Sequence, residues 1–342
     1  MTEQVQKRKR GGGRAGNALR RGSASIDQMP WHLPINTDKP TEPLDEEGVV
    51  AIHEGAMRIL EEIGVEFLNK KALSILKKAG CEISEQNVRM DRNFVMEMLE
   101  KAPSTFEITP RNVSKKITVG GPYILFGNVS SPPAYWDLEN NKKIPGSREM
   151  FANFCKLSQY FNCIHFLGGY PVEPVDLHPS TRHLDAVFDK LILSDKVAHA
   201  YSLGKERVED VMEMVRIAGN LNHDEFEASP RMFTNINSTS PLKHDEPMLD
   251  GWMRLAKKNQ ALIVTPFTLA GAMAPVTMAG AVAQSIAEAL CVVALAQYIR
   301  PGAPCVIGTF TSNVDMKSGA VSYTHLRAHE TEADLVCRLL LE

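Results

Sequence analysis

Short apolar runs alternate with longer amphipathic stretches through the middle of the chain. A short apolar run bounded by turn residues is typical of a buried β-strand, and apolar positions at helical spacing predict helices between the runs. The predicted strands lie at 123–127, 164–168, 197–201, 232–236, 261–265 and 305–309. The predicted helices lie at 147–161, 180–193, 208–220, 246–259 and 275–299. Alternation of strand and helix at intervals of roughly 30–40 residues predicts an α/β fold with a parallel sheet.

Two kinds of parallel sheet fit this alternation. A doubly wound sheet usually carries a glycine-rich phosphate-binding loop after its first strand. Here the first strand is followed by Gly127-Asn-Val-Ser-Ser-Pro-Pro, which is not such a loop. We therefore predict a (β/α)8 barrel of the TIM type. A complete barrel has eight βα units, and the sequence accounts for about six, so the predicted barrel is incomplete.

The rest of the chain divides around this barrel, which we place at 123–320. Residues 1–43 form a basic leader with eight Lys and Arg side chains against four acids, and we expect it to be disordered rather than a nucleic-acid-binding arm. Residues 44–122 form a helical lead-in followed by a hairpin. Its predicted elements are helices at 44–63, 71–78 and 91–101 and a hairpin of 106–109 with 116–119.

The last segment, 321–342, does not continue the strand–helix rhythm. It resembles translated sequencing-adapter read-through, so we expect it to be non-native. No function is assigned to its His325, His329 or Cys337.

Composition indicates a protein of the cytoplasm. Apolar residues make up 44% of the chain and charged residues 23%, with a net charge of −3, which is ordinary for a globular protein. The six cysteines form no CxxC pair, and scattered single thiols suggest a reducing compartment. Residues 261–287 carry no charge, but Pro266 and Pro275 interrupt them. We expect a buried strand, a turn and a buried helix there, and no membrane span.

The carboxyl ends of the predicted strands carry the candidate chemistry, because TIM-type barrels build their sites there. These ends are rich in hydroxyls, amides, glycines and aromatic rings, and none holds a lysine, which argues against Schiff-base chemistry. They hold no cluster of His, Asp and Glu, so we expect no bound metal. His165 and His199 lie on neighbouring predicted strands and could meet, although such a pair is more often structural.

Four aromatic residues at the strand ends could line a pocket for an organic cation, or could be ordinary core and rim residues. They are Tyr170, Tyr201, Phe267 and Phe310. Asp315 is an acid suited to balancing a cationic ligand. Gly271 and Ala272 either leave room for a large flat ligand or form a tight turn into the next helix.

Five long segments at these strand ends resemble the trimethylamine:corrinoid methyltransferase family. They include His165-Phe-Leu-Gly-Gly-Tyr-Pro-Val-Glu-Pro-Val-Asp, Asn235-Ile-Asn-Ser-Thr-Ser-Pro-Leu and Gly308-Thr-Phe-Thr-Ser-Asn-Val-Asp-Met-Lys-Ser-Gly-Ala. The other two are Asp195-Lys-Val-Ala-His-Ala-Tyr-Ser-Leu-Gly and Thr265-Pro-Phe-Thr-Leu-Ala-Gly-Ala-Met-Ala-Pro-Val-Thr. The resemblance implies an eight-stranded barrel that passes a methyl group from a methylated amine to a cobalt corrinoid on a separate protein.

On this hypothesis the strand-end residues take distinct roles. The four aromatic residues would contact the cation, and Gly271 and Ala272 would face the corrinoid. Polar parts of the substrate or corrinoid would be oriented by Asn235, Asn237, Thr268, Thr309 and Thr311. The expected partners are a corrinoid-binding protein and a small methylated amine, with a homo-oligomer possible and no nucleic acid or membrane.

The family has two branches, and the sequence leaves the choice open. Members that act on trimethylamine carry pyrrolysine in a later part of the barrel, and relatives without it are thought to act on quaternary amines such as glycine betaine. The deciding position lies beyond residue 320. Two further alternatives stay open here: a non-catalytic barrel that binds a betaine-like solute, and a truncated chain that is inactive.

Overall fold

The computed structural model describes residues 26–39, 41–201 and 203–315. Three helices open the lead-in, and each begins at a side chain that accepts a backbone hydrogen bond: Asp45, Asn69 and Asp91. The helices are α1 (Glu46–Arg58, continued by a π-helical turn at Ile59–Ile63), α2 (Lys70–Lys78) and α3 (Arg92–Glu100). All three predicted lead-in helices are confirmed.

Short strands alternate with these helices along the chain and continue after them. The first three are β1 (Val65–Phe67), β2 (Glu82–Ser84) and β3 (Asn87–Arg89), and they pair with β11 (Lys243–His244) in a small mixed sheet. The predicted hairpin forms from β4 (Phe106–Ile108) and β5 (Ile117–Val119), joined through a 3₁₀ turn at Val113–Lys115. A second hairpin of β6 (Ala134–Asp137) and β7 (Lys142–Pro145) was not predicted from the sequence.

A parallel sheet forms the centre of the molecule. Its strands are β8 (Phe166–Leu167), β9 (Val197–Tyr201), β10 (Met232–Ile236), β12 (Ala261–Val264) and β14 (Cys305–Ile307). They pair in chain order, each strand beside the one before it. The helices around them are α4 (Arg148–Tyr160), α5 (Arg182–Leu193), α6 (Lys205–Ala218), α7 (His223–Ala228), α8 (Glu246–Lys257) and α9 (Met278–Ile299). The predicted α/β class is therefore confirmed.

The first predicted strand, 123–127, is reduced to single bridges. Tyr123 pairs with Ile35, and Gly127 forms a parallel bridge with Phe166 of β8, which extends the chain order of the sheet by one position. Over the described residues the sheet is open, with β14 at one edge and Gly127 at the other. The predicted closure into a barrel is not seen in this part of the chain.

Two strands continue past the end of the sheet. Strand β12 is followed by β13 (Phe267–Ala270) and β14 by β15 (Phe310–Asn313), and the two continuations pair in parallel. Leu262 lies opposite Cys305 in the sheet, and Phe267 lies opposite Phe310 beyond it, so both pairs keep the same register. Side chains therefore keep alternating between the same two faces along the whole ladder.

The two faces of the sheet have different coverings. On the helix face, buried side chains such as Leu262 and Val264 join the main core with α8 and α9. On the opposite face, which we call the inner face, Phe233 and Ala261 pack against Ile117 of the first hairpin. The hairpin covers the amino-terminal half of the inner face, so the carboxyl-terminal half is left to build a site.

The uncharged stretch 261–287 forms β12, β13 and the beginning of α9, as predicted. Among the described helices, α9 has the length and composition of a membrane span, and 72% of its most apolar window is buried inside the protein. It packs against α1, α3 and α8. Its apolar surface is thus largely covered by other elements of the chain.

Of the predicted leader, residues up to Ser25 lie outside the described residues, as does the predicted non-native segment 321–342. The later part of the leader contacts the rest of the protein. Gln28 accepts a hydrogen bond from the backbone N–H of Asn162, and the Trp31 ring meets the His165 ring edge-on at 6.0 Å.

The hairpin should stabilise the sheet through its buried side chains. Ile117→Ala removes a side chain that is 1% exposed and should lower the free energy of unfolding by about 2–4 kcal/mol. Val113→Ala, on the same hairpin but 67% exposed, should change it by less than about 0.5 kcal/mol. Urea unfolding of both variants measures the difference. Equal effects would show that the hairpin does not cover the inner face.

Candidate functional site

Alternation along the strands brings a set of polar and aromatic side chains to the carboxyl-terminal half of the inner face. We call this set the inner rim: Asn235, Asn237, Thr265, Phe267 and Phe310. Asn235 lies on the same face as Phe233, two residues earlier. Phe267 lies on the same face as Ile263, because the strand pairing keeps one register from the sheet into its extension. Parallel strands thus deliver side chains that are far apart in sequence to one end of the sheet.

Phe267 and Phe310 form the aromatic part of the inner rim. Their ring centroids are 4.9 Å apart, and the ring planes differ by 20°. Both side chains are partly exposed. The faces of such a pair carry negative charge density that attracts an organic cation. The structure therefore brings these two predicted aromatic residues together.

Asn235 belongs to the polar part of the inner rim and contacts the buried His199. The Nε2 atom of His199 lies 2.5 Å from Oδ1 of Asn235. The imidazole is 2% exposed and meets the Phe233 ring at 5.0 Å. Burial lowers the pKa of His199 to about 3, with a smaller contribution from the nearby Lys190 ammonium. The ring is thus neutral near pH 7.

Asn237 lies two residues further along the same strand direction and is exposed. Its side-chain amide is 2.7 Å from the hydroxyl of Thr265, on the neighbouring strand. Along the strand direction, these two residues lie between Asn235 and the phenylalanine pair. Both predicted asparagines therefore belong to the inner rim.

The three predicted threonines lie on the other face. Thr268 is fully buried and hydrogen-bonds Thr311 at 2.8 Å, and Thr311 in turn lies 2.9 Å from Thr309. Thr309 is 2.9 Å from the hydroxyl of Ser285 on α9. This chain of hydroxyls joins the two-strand extension to the helix. The structure places these threonines on the helix face, where they hold α9.

Tyr170 also lies away from the inner rim. Its ring is 4% exposed and meets Phe151 of α4 edge-on at 5.5 Å. The ammonium of Lys190 lies 4.9 Å from the centroid of the same ring. The cation beside Tyr170 is therefore a lysine of the protein itself. Burial lowers the pKa of Lys190 to about 8.

The other predicted site residues lie near the same end of the sheet. Tyr201 is the last residue of β9, and its backbone is in register with Asn235. Asp315 is exposed and follows β15. Gly271 has a φ of 84°, and the N–H groups of 272–274 all bond to the carbonyl of Leu269. Gly271 and Ala272 thus form the tight turn that was one of the two predicted alternatives.

A buried carboxylate fixes the loop after β10. Glu288 on α9 is 0% exposed, and four donors converge on it. Ser240 donates to one oxygen at 2.6 Å, and Ser238 donates to the same oxygen. The backbone N–H of Leu242 and the amide of Gln284 donate to the other at 2.7 and 2.8 Å. The loop that follows Asn235 and Asn237 is therefore tied to the helix behind the sheet.

One face of α9 holds three loops in this way. Gln284 donates to the carbonyl of Met273 in the turn after β13, Ser285 bonds Thr309, and Glu288 holds the loop after β10. This role of Glu288 was not predicted from the sequence. The signal was present: polar residues three and four positions apart in an otherwise apolar buried helix must find polar partners.

The histidines do not form a common centre. His165 accepts from the Phe126 N–H at 2.9 Å and lies 3.1 Å from the His32 carbonyl, while His199 bonds Asn235. His178 lies in a loop and His183 in α5, and His183 pairs with Asp210 at 2.9 Å. Across the described residues, no group of three or more His, Cys, Asp and Glu side chains is placed to hold a metal.

Replacing Glu288 should loosen the loop after β10. In Glu288→Gln an amide NH₂ replaces one oxygen and faces donors, so we expect the free energy of unfolding to fall by about 2–4 kcal/mol. Glu139→Gln, on an exposed turn, is the matched control and should be neutral. Chemical unfolding measures both. A stable Glu288→Gln protein would mean that the four contacts contribute little.

The buried neutral state of His199 predicts loss of stability in acid. Its pKa is lowered from 6.5 to about 3 on folding, so between these values the unfolded chain binds a proton that the folded chain does not. Stability therefore falls as pH drops below about 6.5, by roughly 2 kcal/mol between pH 7.5 and pH 5 for this group alone. His199→Gln should remove that part of the dependence in urea unfolding. Identical pH slopes in the two proteins would contradict the assignment.

Comparison with known proteins places this arrangement in a family. A family model described as "Trimethylamine methyltransferase (MTTB)" matches residues 10–329. Over 279 residues, or 82% of the chain, the sequence is 34% identical to the glycine betaine methyltransferase of Desulfitobacterium hafniense (strain Y51). It is 28% identical over 289 residues to the proline betaine:corrinoid methyltransferase of Eubacterium limosum, covering 80% of this chain.

A trimethylamine methyltransferase of Desulfitobacterium hafniense (strain DSM 10664 / DCB-2) is 25% identical over 284 residues, again 80% of this chain. The matches span 58%, 57% and 55% of these three relatives, so the chain corresponds to little more than half of their length. Since the family model covers most of the chain, and the betaine relative is 34% identical over 82% of it, the chain belongs to the trimethylamine methyltransferase (MTTB) family.

Proposed function

We propose that this chain takes part in the transfer of a methyl group from a methylated ammonium compound to a cobalt corrinoid carried on a partner protein. The observation that supports this most directly is the inner rim, where the stacked Phe267 and Phe310 share one face of the sheet with Asn235 and Asn237. Aromatic faces suit the cation, and the amides suit polar groups attached to it. Family membership and the printed names of the relatives support the reaction class.

We further propose that the sheet is part of a (β/α)8 barrel. Six parallel positions follow one another in chain order, from Gly127 through β8, β9, β10 and β12 to β14. A doubly wound sheet reverses its strand order at a switch point, whereas a barrel does not. Both edges of the sheet carry exposed apolar side chains, among them Phe126 at one edge and Ile307 at the other, which suits strands on either side.

The inner rim suits a quaternary ammonium better than a tertiary amine. A quaternary donor leaves as a neutral amine once its methyl group is transferred, so no proton has to be supplied. A positive ligand lying over an open face of the stacked Phe267 and Phe310 rings would gain cation–π attraction of about 0.5–2 kcal/mol, more as water is excluded. Asp315, exposed beyond β15, could balance the charge of the ligand. Alignment and exclusion of water are then the tasks of this site.

The corrinoid, brought by the partner, would supply the cobalt that accepts the methyl group. The chain offers small residues where a flat macrocycle would approach. Gly271 and Ala272 sit in the turn beyond β13, and Ala272 is exposed. Gly308 faces inward beside Thr265, and an added Cβ would lie 2.7 Å from the Thr265 methyl carbon. At these positions a flat group could approach the backbone closely, which fits such a macrocycle.

The test is methyl transfer to free cob(I)alamin, followed by its absorption spectrum. It uses this chain and a chimera in which the residues after Asn313 come from the glycine betaine relative. We expect glycine betaine to yield methylcobalamin with the chimera. Phe310→Ala should reduce the rate about tenfold because the aromatic pair is lost. Phe188→Ala, an exposed ring on α5, is the control and should have no effect.

Absence of transfer from glycine betaine, proline betaine and trimethylamine would contradict the proposal. Binding of these compounds in calorimetry without transfer would point instead to a solute-binding barrel.

A further inference from the structure

We propose that His199 is a positioning residue that turns the amide NH₂ of Asn235 toward the open carboxyl-terminal half of the inner face. The site would then select an ammonium compound carrying a hydrogen-bond acceptor such as a carboxylate. Asn235 is then a specificity-determining residue. This inference rests on the proposed function, because it concerns the ligand of the same site.

The His199 and Asn235 side chains meet across two neighbouring strands. His199 on β9 is in register with Phe233 on β10, and Asn235 follows Phe233 by two residues on the same face. The imidazole Nε2 lies 2.5 Å from the amide oxygen of Asn235. This contact joins two neighbouring strands at the boundary between the covered half of the inner face and the open half.

The imidazole ring of His199 is held rigidly by its neighbours. His199 is 2% exposed, and the Phe233 ring packs against it at a centroid distance of 5.0 Å. Behind the strand, the ammonium of Lys190 donates to the carbonyl of His199 at 3.2 Å. The backbone and the ring of His199 are thus held from both sides of the sheet, and the imidazole offers a fixed partner to Asn235.

The hydrogen bond between His199 and Asn235 has a defined direction. The buried imidazole is neutral near pH 7, since burial lowers its pKa to about 3. The amide oxygen of Asn235 faces Nε2 and can only accept, so Nε2 carries the proton and the ring donates. Rotating the amide would place its NH₂ against the imidazole N–H, which costs a hydrogen bond. The amide therefore keeps its oxygen on His199 and its NH₂ directed away from the ring.

The spacing between Asn235 and Phe267 suits a small betaine. Asn235 is opposite Ile263, and Phe267 lies four residues further along that strand direction, about 13 Å at 3.3 Å per residue. Side chains stand roughly perpendicular to the strands, so the Asn235 amide and the Phe267 ring lie a comparable distance apart. A hydrogen bond of about 3 Å and a cation–π approach of up to about 6 Å leave about 4 Å for the ligand itself. A small betaine can then place its ammonium at the phenylalanine pair and its carboxylate at the amide. Trimethylamine has no group for the amide to bind.

Calorimetry on this chain tests the inference with two probes, glycine betaine and tetramethylammonium. Both carry the cation, and only the first has a carboxylate. We expect glycine betaine to bind about tenfold more tightly or better, as a hydrogen bond to a charged group contributes. Asn235→Asp should abolish this preference by placing a negative charge against the carboxylate, while tetramethylammonium binding is kept or improved.

The matched control is Asn220→Asp. Asn220 is exposed in the turn after α6, at the other end of the sheet, and its φ of 51° is accessible to aspartate. It adds the same charge and should leave the preference intact. A loss of preference in this variant as well would show a general effect of net charge and overturn the inference.

Two variants of His199 test its positioning role. His199→Ala should remove the preference for glycine betaine while leaving tetramethylammonium binding, which also reports that the protein is folded. His199→Gln offers an amide donor in a similar place and should restore part of the preference. If both variants keep the full preference, His199 does not orient Asn235.

The outcomes separate this inference from the proposed function. Equal binding of the two probes by the unchanged chain overturns the inference and leaves the ammonium site in place. Failure of both probes to bind overturns the proposed ammonium site, and this inference with it.

Discussion

The buried carboxylate of Glu288 is the contact on which the arrangement of the site depends. It takes four hydrogen bonds from Ser238, Ser240, Leu242 and Gln284 with no exposed surface of its own. A buried carboxylate without such donors would be very costly, so the loop must keep the one conformation that supplies them. The loop continues directly from Asn235 and Asn237. The end of β10, from which both amides project, is thus fastened to a helix behind the sheet.

The same helix explains why the strand ends divide into two groups. Threonines 268, 309 and 311 meet Ser285 on the helix face and fasten the two-strand extension to α9. Phe267 and Phe310 alternate with them and face inward. Anchoring and binding are therefore carried by opposite faces of the same short strands. A change on the helix face would act on the ligand only by moving the strands.

Much of the fold was predictable because periodicity reports burial. The strands at 197–201, 232–236 and 261–265 were found from apolar runs, and α6 and α8 from helical spacing, while the short helix α7 was missed. The hairpin of β6 and β7 was missed, since its residues Ala134–Asp137 are half-exposed and show no clear apolar pattern. Single bridges replace the strand at 123–127, which lies at a sheet edge with one neighbour.

The site was predictable as a list of strand-end residues and not as an arrangement. Strand ends identified Phe267, Phe310 and Asn235, but the face on which each residue lies depends on register, which sequence alone did not reveal. Thr268 and Tyr170 were therefore grouped with them, although one holds a helix and the other packs beneath Lys190.

A crystal structure of this chain with glycine betaine tests the central claim most directly. The account predicts the ammonium within about 6 Å of the ring centroid of Phe267 or Phe310 and the carboxylate at the Asn235 amide. Density for the ligand elsewhere, such as the cavity of about 400 Å³ between the β6–β7 hairpin and α4, would contradict it.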